Sequence, residues 1–257
     1  QEGNKIKFKF LNRYRNEHYL ILEKSEDKFT FPEINKALIP SILRDYSAPV
    51  SLKTDLTLSD HIHLLRFDDN LFKKWDICQN LHLKLLKSKN LELFCNSIKQ
   101  IINNATIDNS ITSLILTPPS YRTFQNNLFN YDPLDLYDMR NSYLTQFYKN
   151  LEVDLYNLFK NLLEKFYINS DLKIRSLIKI LLEALCTIDN NFAKNIAEEF
   201  CDSKIMEIKM IGLTSCIKYN HSNSINLLKK FYSEFQNDKI VLEKWFQIRS
   251  SYNNSYF

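Results

Sequence analysis

A chain of 257 residues, 44% hydrophobic and 25% charged, can bury one large core or two smaller ones. Its formal net charge is only +4, and Lys and Arg are interleaved with Asp and Glu, which argues against a strong polyanion-binding field and against nucleic acid as a partner. The two glycines, Gly3 and Gly212, cannot build a phosphate-cradling loop or a dinucleotide fingerprint, and apolar runs such as Ile178–Leu182 fall short of the about 20 residues that cross a bilayer.

Lys5–Phe10 alternates, with Ile6, Phe8 and Phe10 on one face and lysines on the other, which predicts a half-buried strand. His18–Glu23 and Lys28–Phe31 read as two more strands joined by a polar hairpin at Lys24–Asp27. Pro32 bars a regular ladder, and Ala37–Val50 reads as extended chain punctuated by Pro40 and Pro49. Three or four strands are few for a sandwich, so the sheet is expected to be small or completed by sequence before Gln1. The chain does not begin with Met, and Gln1 is expected to be a cut end.

From about Leu56 the apolar period changes from two to three and four, which predicts helices only. Ser59 and Asp60 are expected to cap a short helix, and Asp69 or Asn70 the next. On that second helix Leu71, Trp75, Cys78, Leu81, His82 and Leu85 form one apolar stripe, with Trp75 expected to be largely buried and Lys73, Lys74 and Lys84 pointing mostly away. Asn90–Asn103 and Asp108–Leu116 follow, the latter stopped by Pro118-Pro119, and Ser120 caps Tyr121–Phe129. Asp132-Pro133-Leu134-Asp135 is a helix start: a cap, Pro in the first position and an acid in the first turn. That helix is predicted to run to about Phe166 with a break near Asn150. Asp171–Cys186, Asn190–Cys201, Ser203–Lys218, Ser222–Phe235 and Asp238–Arg249 read as further helices on short polar links, hence stacked antiparallel pairs. The pairing is solenoid-like, without a period regular enough for a named repeat.

No constellation with the spacing of an active site emerges. His61 and His63 are two apart, so on a helix they point in different directions and cannot chelate one metal. His82 lies on an apolar stripe as a core histidine, and His18 and His221 have no partner identifiable from sequence. Asp132, Asp135 and Asp138 read as a dipole-matched helix start, not a metal loop. Asp68-Asp69 and Glu198-Glu199 are adjacent acids, expected on different faces and solvated. Gly212-Leu213-Thr214-Ser215-Cys216 lacks the second Gly of a nucleophile elbow, leaving Cys216 a packing residue. The five cysteines contain no Cys-x-x-Cys pair and read as reduced, mostly buried thiols of a reducing compartment.

One stretch carries more than periodicity. Ile39-Pro40-Ser41-Ile42-Leu43-Arg44-Asp45-Tyr46-Ser47-Ala48-Pro49-Val50 resembles the link from the β-sandwich into the helical domain of the aminopeptidase N family of zinc metallopeptidases, in its bacterial and apicomplexan alanyl-aminopeptidase branch. Phe72-Lys73-Lys74-Trp75-Asp76-Ile77-Cys78-Gln79 resembles the second helix of that domain. Fainter similarities follow in order at Leu116-Thr117-Pro118, Ile174-Arg175-Ser176-Leu177 and Val241-Leu242-Glu243-Lys244-Trp245-Phe246. The family's His-Glu-x-x-His zinc helix and Gly-Ala-Met-Glu-Asn strand do not occur in this sequence.

The resemblance implies a mainly α fold: a partial β-sandwich over about residues 1–55, then a superhelical array of antiparallel helix pairs over about 56–257, truncated. It implies the non-catalytic C-terminal part of a zinc-dependent aminopeptidase whose parent removes N-terminal residues from peptides. In that parent, zinc-bound water would be the nucleophile and a glutamate the base, both in a domain upstream of Gln1. No residue of this sequence is assigned a catalytic, cofactor-binding or metal-ligating role, and zinc is expected only in the parent. The implied partners are the chain's own catalytic domain, which it would cap, and the parent's peptides, with no nucleic acid and no membrane. Self-association of the isolated chain and a cytoplasmic location are expected. The rival expectation is a helical scaffold that binds protein partners on a concave face.

Overall fold

The computed structural model describes residues 4–10, 18–30, 38–88, 90–104, 107–128, 130–168, 171–219 and 221–250. Strands β1 (Asn4–Phe10), β2 (His18–Leu22) and β3 (Pro40–Ile42) form one antiparallel sheet in the order β2-β1-β3. Lys7 pairs with Tyr19 on one side of β1, and Lys9 with Ser41 on the other. The first two strands lie where the alternation places them. The third does not. Lys28–Thr30 is irregular and exposed, and Phe31 lies outside the described residues. The third strand comes instead from the supposed extended stretch, with Pro40 as its first residue, where a missing N–H is tolerated.

Among the described residues everything after β3 is turn or helix. The α-helices are α1 (Leu58–Phe67), α2 (Leu71–Leu85), α3 (Glu92–Ile102), α4 (Asn109–Leu116), α5 (Tyr121–Asn127), α6 (Pro133–Ile168), α7 (Leu172–Thr187), α8 (Asn191–Cys201), α9 (Met206–Lys218), α10 (Ser224–Phe235) and α11 (Lys239–Ser250). Side-chain oxygens of Asn70, Asp108, Ser120, Asp171 and Asn190 accept first-turn amides, which explains where five of them begin. The cap of α1 is Thr57 rather than Ser59. Thr57 and Asp60 form a reciprocal capping box, and those hydrogen bonds hold the Asp60 carboxyl below its usual pKa.

α6 is one helix of 36 residues, with no break at Asn150. Asn150 is exposed, and its side-chain amide donates to Gln146 O one turn back, so the residue sits within the helix without interrupting it.

The chain forms two compact units, residues 1–143 and 144–257. The first has a core of Leu64, Leu65, Ile77, Leu81, Phe94, Ile98, Ile115 and Phe124. The second is built on Leu151, Leu155, Phe159, Leu177, Leu181, Leu185, Ala193 and Leu213. Each apolar set recurs at three- and four-residue spacing within its helix, so burial of one stripe per helix accounts for the fold.

α2 departs from its expected stripe. Trp75 is half-buried, not largely buried, and Leu71 is exposed. Lys73 and Lys74 are buried instead of pointing away. Lys74 Nζ donates to the carbonyls of Leu65 (2.6 Å) and Arg66 (3.1 Å), capping the last turn of α1 with a cation.

Candidate functional site

Within the first unit the unusual chemistry gathers where β3 gives way to α1 and α2. A 3-10 turn at Arg44–Tyr46 follows β3. Leu43, Asp45 and Tyr46 all have left-handed backbones, with φ of 58°, 54° and 52°. Left-handed geometry in non-glycine residues costs about 1 kcal/mol or more each, so surrounding contacts must hold it. The Arg44 guanidinium provides the centre. Its Nη1 donates to Asp68 Oδ1 and its Nη2 to Asp69 Oδ1, each at 2.6 Å. Asp68 also accepts from Ser41 Oγ (2.5 Å) and from the Asn70 backbone N (2.8 Å). The Asn70 side-chain amide donates to Asp45 Oδ1 at 2.6 Å, while its carbonyl accepts from Lys73 N and starts α2.

Arg44 and Asp68 are both buried. Burial opposes the Arg44 charge, but Asp69 and Asp68 outweigh it and raise the guanidinium pKa. For Lys74, burial is the larger influence and lowers the ammonium pKa, although Asp68 and Asp69 favour the charge. Asp68-Asp69 was expected to be solvated on both counts. Only Asp69 is: its side chain is 60% exposed and that of Asp68 is fully buried.

A groove of about 610 Å³ opens beside this network. Leu43, Tyr46, Leu64 and Phe72 give it apolar walls, and His61, Lys73, Asp76 and Lys84 its polar edge. The Tyr46 ring is 3.7 Å from that of Phe72, which is 5.3 Å from Trp75, and Tyr46 is 60% exposed. His61 Nδ1 lies 2.8 Å from Thr57 O, and its Nε2 lies 3.3 Å from Lys84 Nζ. Burial, with Lys84 and Lys73 adding to it, lowers the His61 pKa despite the Thr57 contact. The groove brings together no nucleophile, base and oxyanion donors.

The other residues weighed from sequence are dispersed. His63 is exposed and lies against the Phe67 ring. His82 is fully buried, its Nδ1 2.8 Å from the Tyr143 hydroxyl, and burial followed by Arg140 pushes its pKa down to about 3. His221 lies 3.5 Å from Glu198. The His18 side chain is outside the described residues. Asp132 accepts from Leu134 N and Asp135 N, as a helix start should. All five cysteines are buried thiols. Among the described residues, no three His, Cys, Asp or Glu side chains converge as a metal would require.

Two family models match the chain. One, described as a domain of unknown function (DUF3458) with an Ig-like fold, matches residues 1–55. The other, a domain of unknown function (DUF3458_C) described as ARM repeats, matches residues 58–256. Aminopeptidase N of Haemophilus influenzae is 24% identical over 244 residues, covering 90% of this chain. The chain belongs to the aminopeptidase N family. A crystal structure of Legionella pneumophila aminopeptidase A in complex with aspartic acid shares the fold, with a TM-score of 0.84 over 97% of this chain at 22% identity. The chain spans 28% of the length of the Haemophilus aminopeptidase N and 32% of that of the Legionella enzyme.

Membership settles two expectations, the family and the fold class. The region is the family's C-terminal part, mainly α after a short Ig-like segment. The helical part is classed as ARM repeats, a class that the apolar period did not reveal. Zinc, the metal of this family, does not fit the residues described here. His61, His63, His82 and His221 are each placed beside a different neighbour, and no carboxylate pair completes a donor set with any of them.

Proposed function

We propose that this chain is the non-catalytic C-terminal part of a zinc-dependent aminopeptidase, whose helical domain caps the catalytic domain and restricts access to short peptides. One observation carries the reading: the similarity to aminopeptidase N runs through 90% of the chain, in the order Ig-like segment then helical domain. The principal partner is then the chain's own catalytic domain, and the peptides are substrates of the whole enzyme. The exposed Tyr46 ring, backed by Phe72 and Trp75 beside a half-apolar groove, supports a polypeptide contact at the strand-to-helix junction. Self-association of the isolated chain follows if that surface is left uncovered. The five buried thiols support a reducing, cytoplasmic location.

A second reading, a helical scaffold for protein partners, is favoured by one feature. Between α10 and α11 a groove of about 600 Å³ is lined by Ile225, Tyr232, Trp245 and Phe246, with Phe246 54% exposed.

The experiment compares this chain with the longer product of the same gene. Metal analysis and release of 4-nitroaniline from aminoacyl 4-nitroanilides are measured on both. The enzyme reading expects zinc and turnover in the longer protein only. A gene that encodes no His-Glu-x-x-His upstream, or a longer protein without turnover, would favour the scaffold. Stoichiometric zinc and turnover in the 257-residue chain would overturn the non-catalytic assignment.

A further inference from the structure

Cys201 and Cys216 meet in the second unit. The Cys201 Sγ lies 4.0 Å from the Cys216 Sγ and 3.3 Å from Ala197 O. The meeting depends on Gly212. A Cβ there would fall 2.5 Å from Ala197 O and 2.8 Å from Cys201 N, so α9 touches the backbone of α8. Gly212 and Cys216 are one turn apart on α9, as Ala197 and Cys201 are on α8, which puts each cysteine on the face its helix turns to the other. The pair also has an approach. Cys201 lines a narrow cleft with Lys209, Leu227, Lys230 and Phe231, with room for about one small molecule the size of water. Cys201 is 8% exposed and Cys216 2%.

We propose that Cys201 and Cys216 are a dithiol modification site that closes reversibly to a disulfide between α8 and α9 when the protein meets a peroxide. The Cys201 sulfur attacks one oxygen of hydrogen peroxide, breaking the O–O bond, and the thiol proton leaves with the other oxygen as water. Cys201 is then a sulfenic acid. The Cys216 sulfur attacks the Cys201 sulfur, the S–S bond forms, and the hydroxyl departs with the Cys216 proton as a second water. Two thiols are oxidised and one peroxide is reduced. The sulfurs need to approach by about 2 Å to reach bonding distance. The contact with Cys216, and then burial, raise the Cys201 pKa, so little thiolate is present and the pair stays reduced until exposure is sustained.

The test exposes the full chain to hydrogen peroxide at neutral pH beside a solvent-exposed peptide thiol. The reaction is expected to be at least about tenfold slower than that of the peptide. At its end, thiols titrated in denaturant fall from five by two. Digestion without reductant then yields one peptide pair joined through Cys201 and Cys216, and dithiothreitol restores all five thiols. The oxidised chain melts roughly 5 °C or more higher, because the bridge closes a short loop in the unfolded state. In the Cys216→Ser variant, dimedone labels Cys201 instead. Five thiols surviving a roughly thousandfold excess of exposure over the peptide, bridges at other cysteines, or bridges between chains would each overturn the proposal. A dimedone-labelled Cys201 in the variant without the bridge in the parent chain would overturn it as well.

Discussion

Truncating Asp68 to alanine removes the acceptor of three donors: Ser41 Oγ, Arg44 Nη1 and the Asn70 backbone N. Breaking a buried ion pair from one side costs about 3–5 kcal/mol. Here Arg44 keeps Asp69, but that side chain is 60% exposed, and an exposed partner recovers about 1 kcal/mol at most. The expected loss for Asp68→Ala is therefore about 3 kcal/mol. Arg44→Met should cost a similar amount, since it leaves the buried Asp68 carboxylate without its cation. The double variant should cost about 2 kcal/mol less than the sum, because the second change removes one half of an ion pair that the first has already broken. The two tryptophans provide the assay, one in each compact unit. In a Trp245→Phe background, Trp75 fluorescence follows urea unfolding of the first unit alone, which avoids treating two units as one transition. A loss below about 1 kcal/mol for Asp68→Ala, or strict additivity in the cycle, would refute the claim that this pair holds the junction.

Gly212→Ala should destabilise the second unit by about 1–3 kcal/mol, read by Trp245 fluorescence in a Trp75→Phe background, because overpacking against backbone on α8 outweighs the helix-propensity gain of about 1 kcal/mol. An unchanged or raised urea midpoint would show that α8 and α9 separate without cost. His82 sets a pH dependence. Its folded pKa of about 3 lies below the unfolded value of about 6.5, so the unfolded chain binds the proton and stability falls as pH drops below about 6.5. Between about pH 7.5 and 5.5 that loss is about 1.4 kcal/mol, and it should vanish in His82→Gln; an equal loss in the variant would place the effect elsewhere. Lys74→Met should cost about 1–3 kcal/mol and speed amide exchange in the last turn of α1, since the carbonyls of Leu65 and Arg66 lose their donor. Unaltered exchange there would show that the cap is dispensable.

Five helix starts were legible in the sequence because the deciding partner lies within one helical turn. Asn70, Asp108, Ser120, Asp171 and Asn190 each cap an amide two or three residues on, and each helix starts where its cap does. The buried stripes of α3 and α7 follow from period alone. The junction was legible only as a change of period and a resemblance. Arg44 and its two carboxylates are 24 and 25 residues apart, and nothing local in Asp68-Asp69 tells which acid turns inward. Leu43, Asp45 and Tyr46 carry no sign of left-handed backbone, because the contacts that hold it come from α2 and the segment before it. Lys74 misled for the same reason: a lysine reads as solvent-facing until the chain supplies an acceptor, here the end of α1, whereas Lys73 is buried although its acceptor Asp76 lies one turn away on α2.

The distance between Arg44 and its partners also bears on how the chain is made. Synthesis proceeds from the N-terminus, so β1 and β3 are made before Asp68 and Asn70. At about 5–20 residues per second, the ribosome delivers Asp68 roughly one to five seconds after Arg44. During that interval the turn lacks its ion pair and the Asn70 contact, and β3 has its pairing with β1 and the packing of Ile42 near Leu43 and Ala48. The strands of the sheet are thus all made before the side chains that fix the turn after them. The turn gains its ion pair only once the end of α1 exists, so the junction is fixed later than the strands that lead into it.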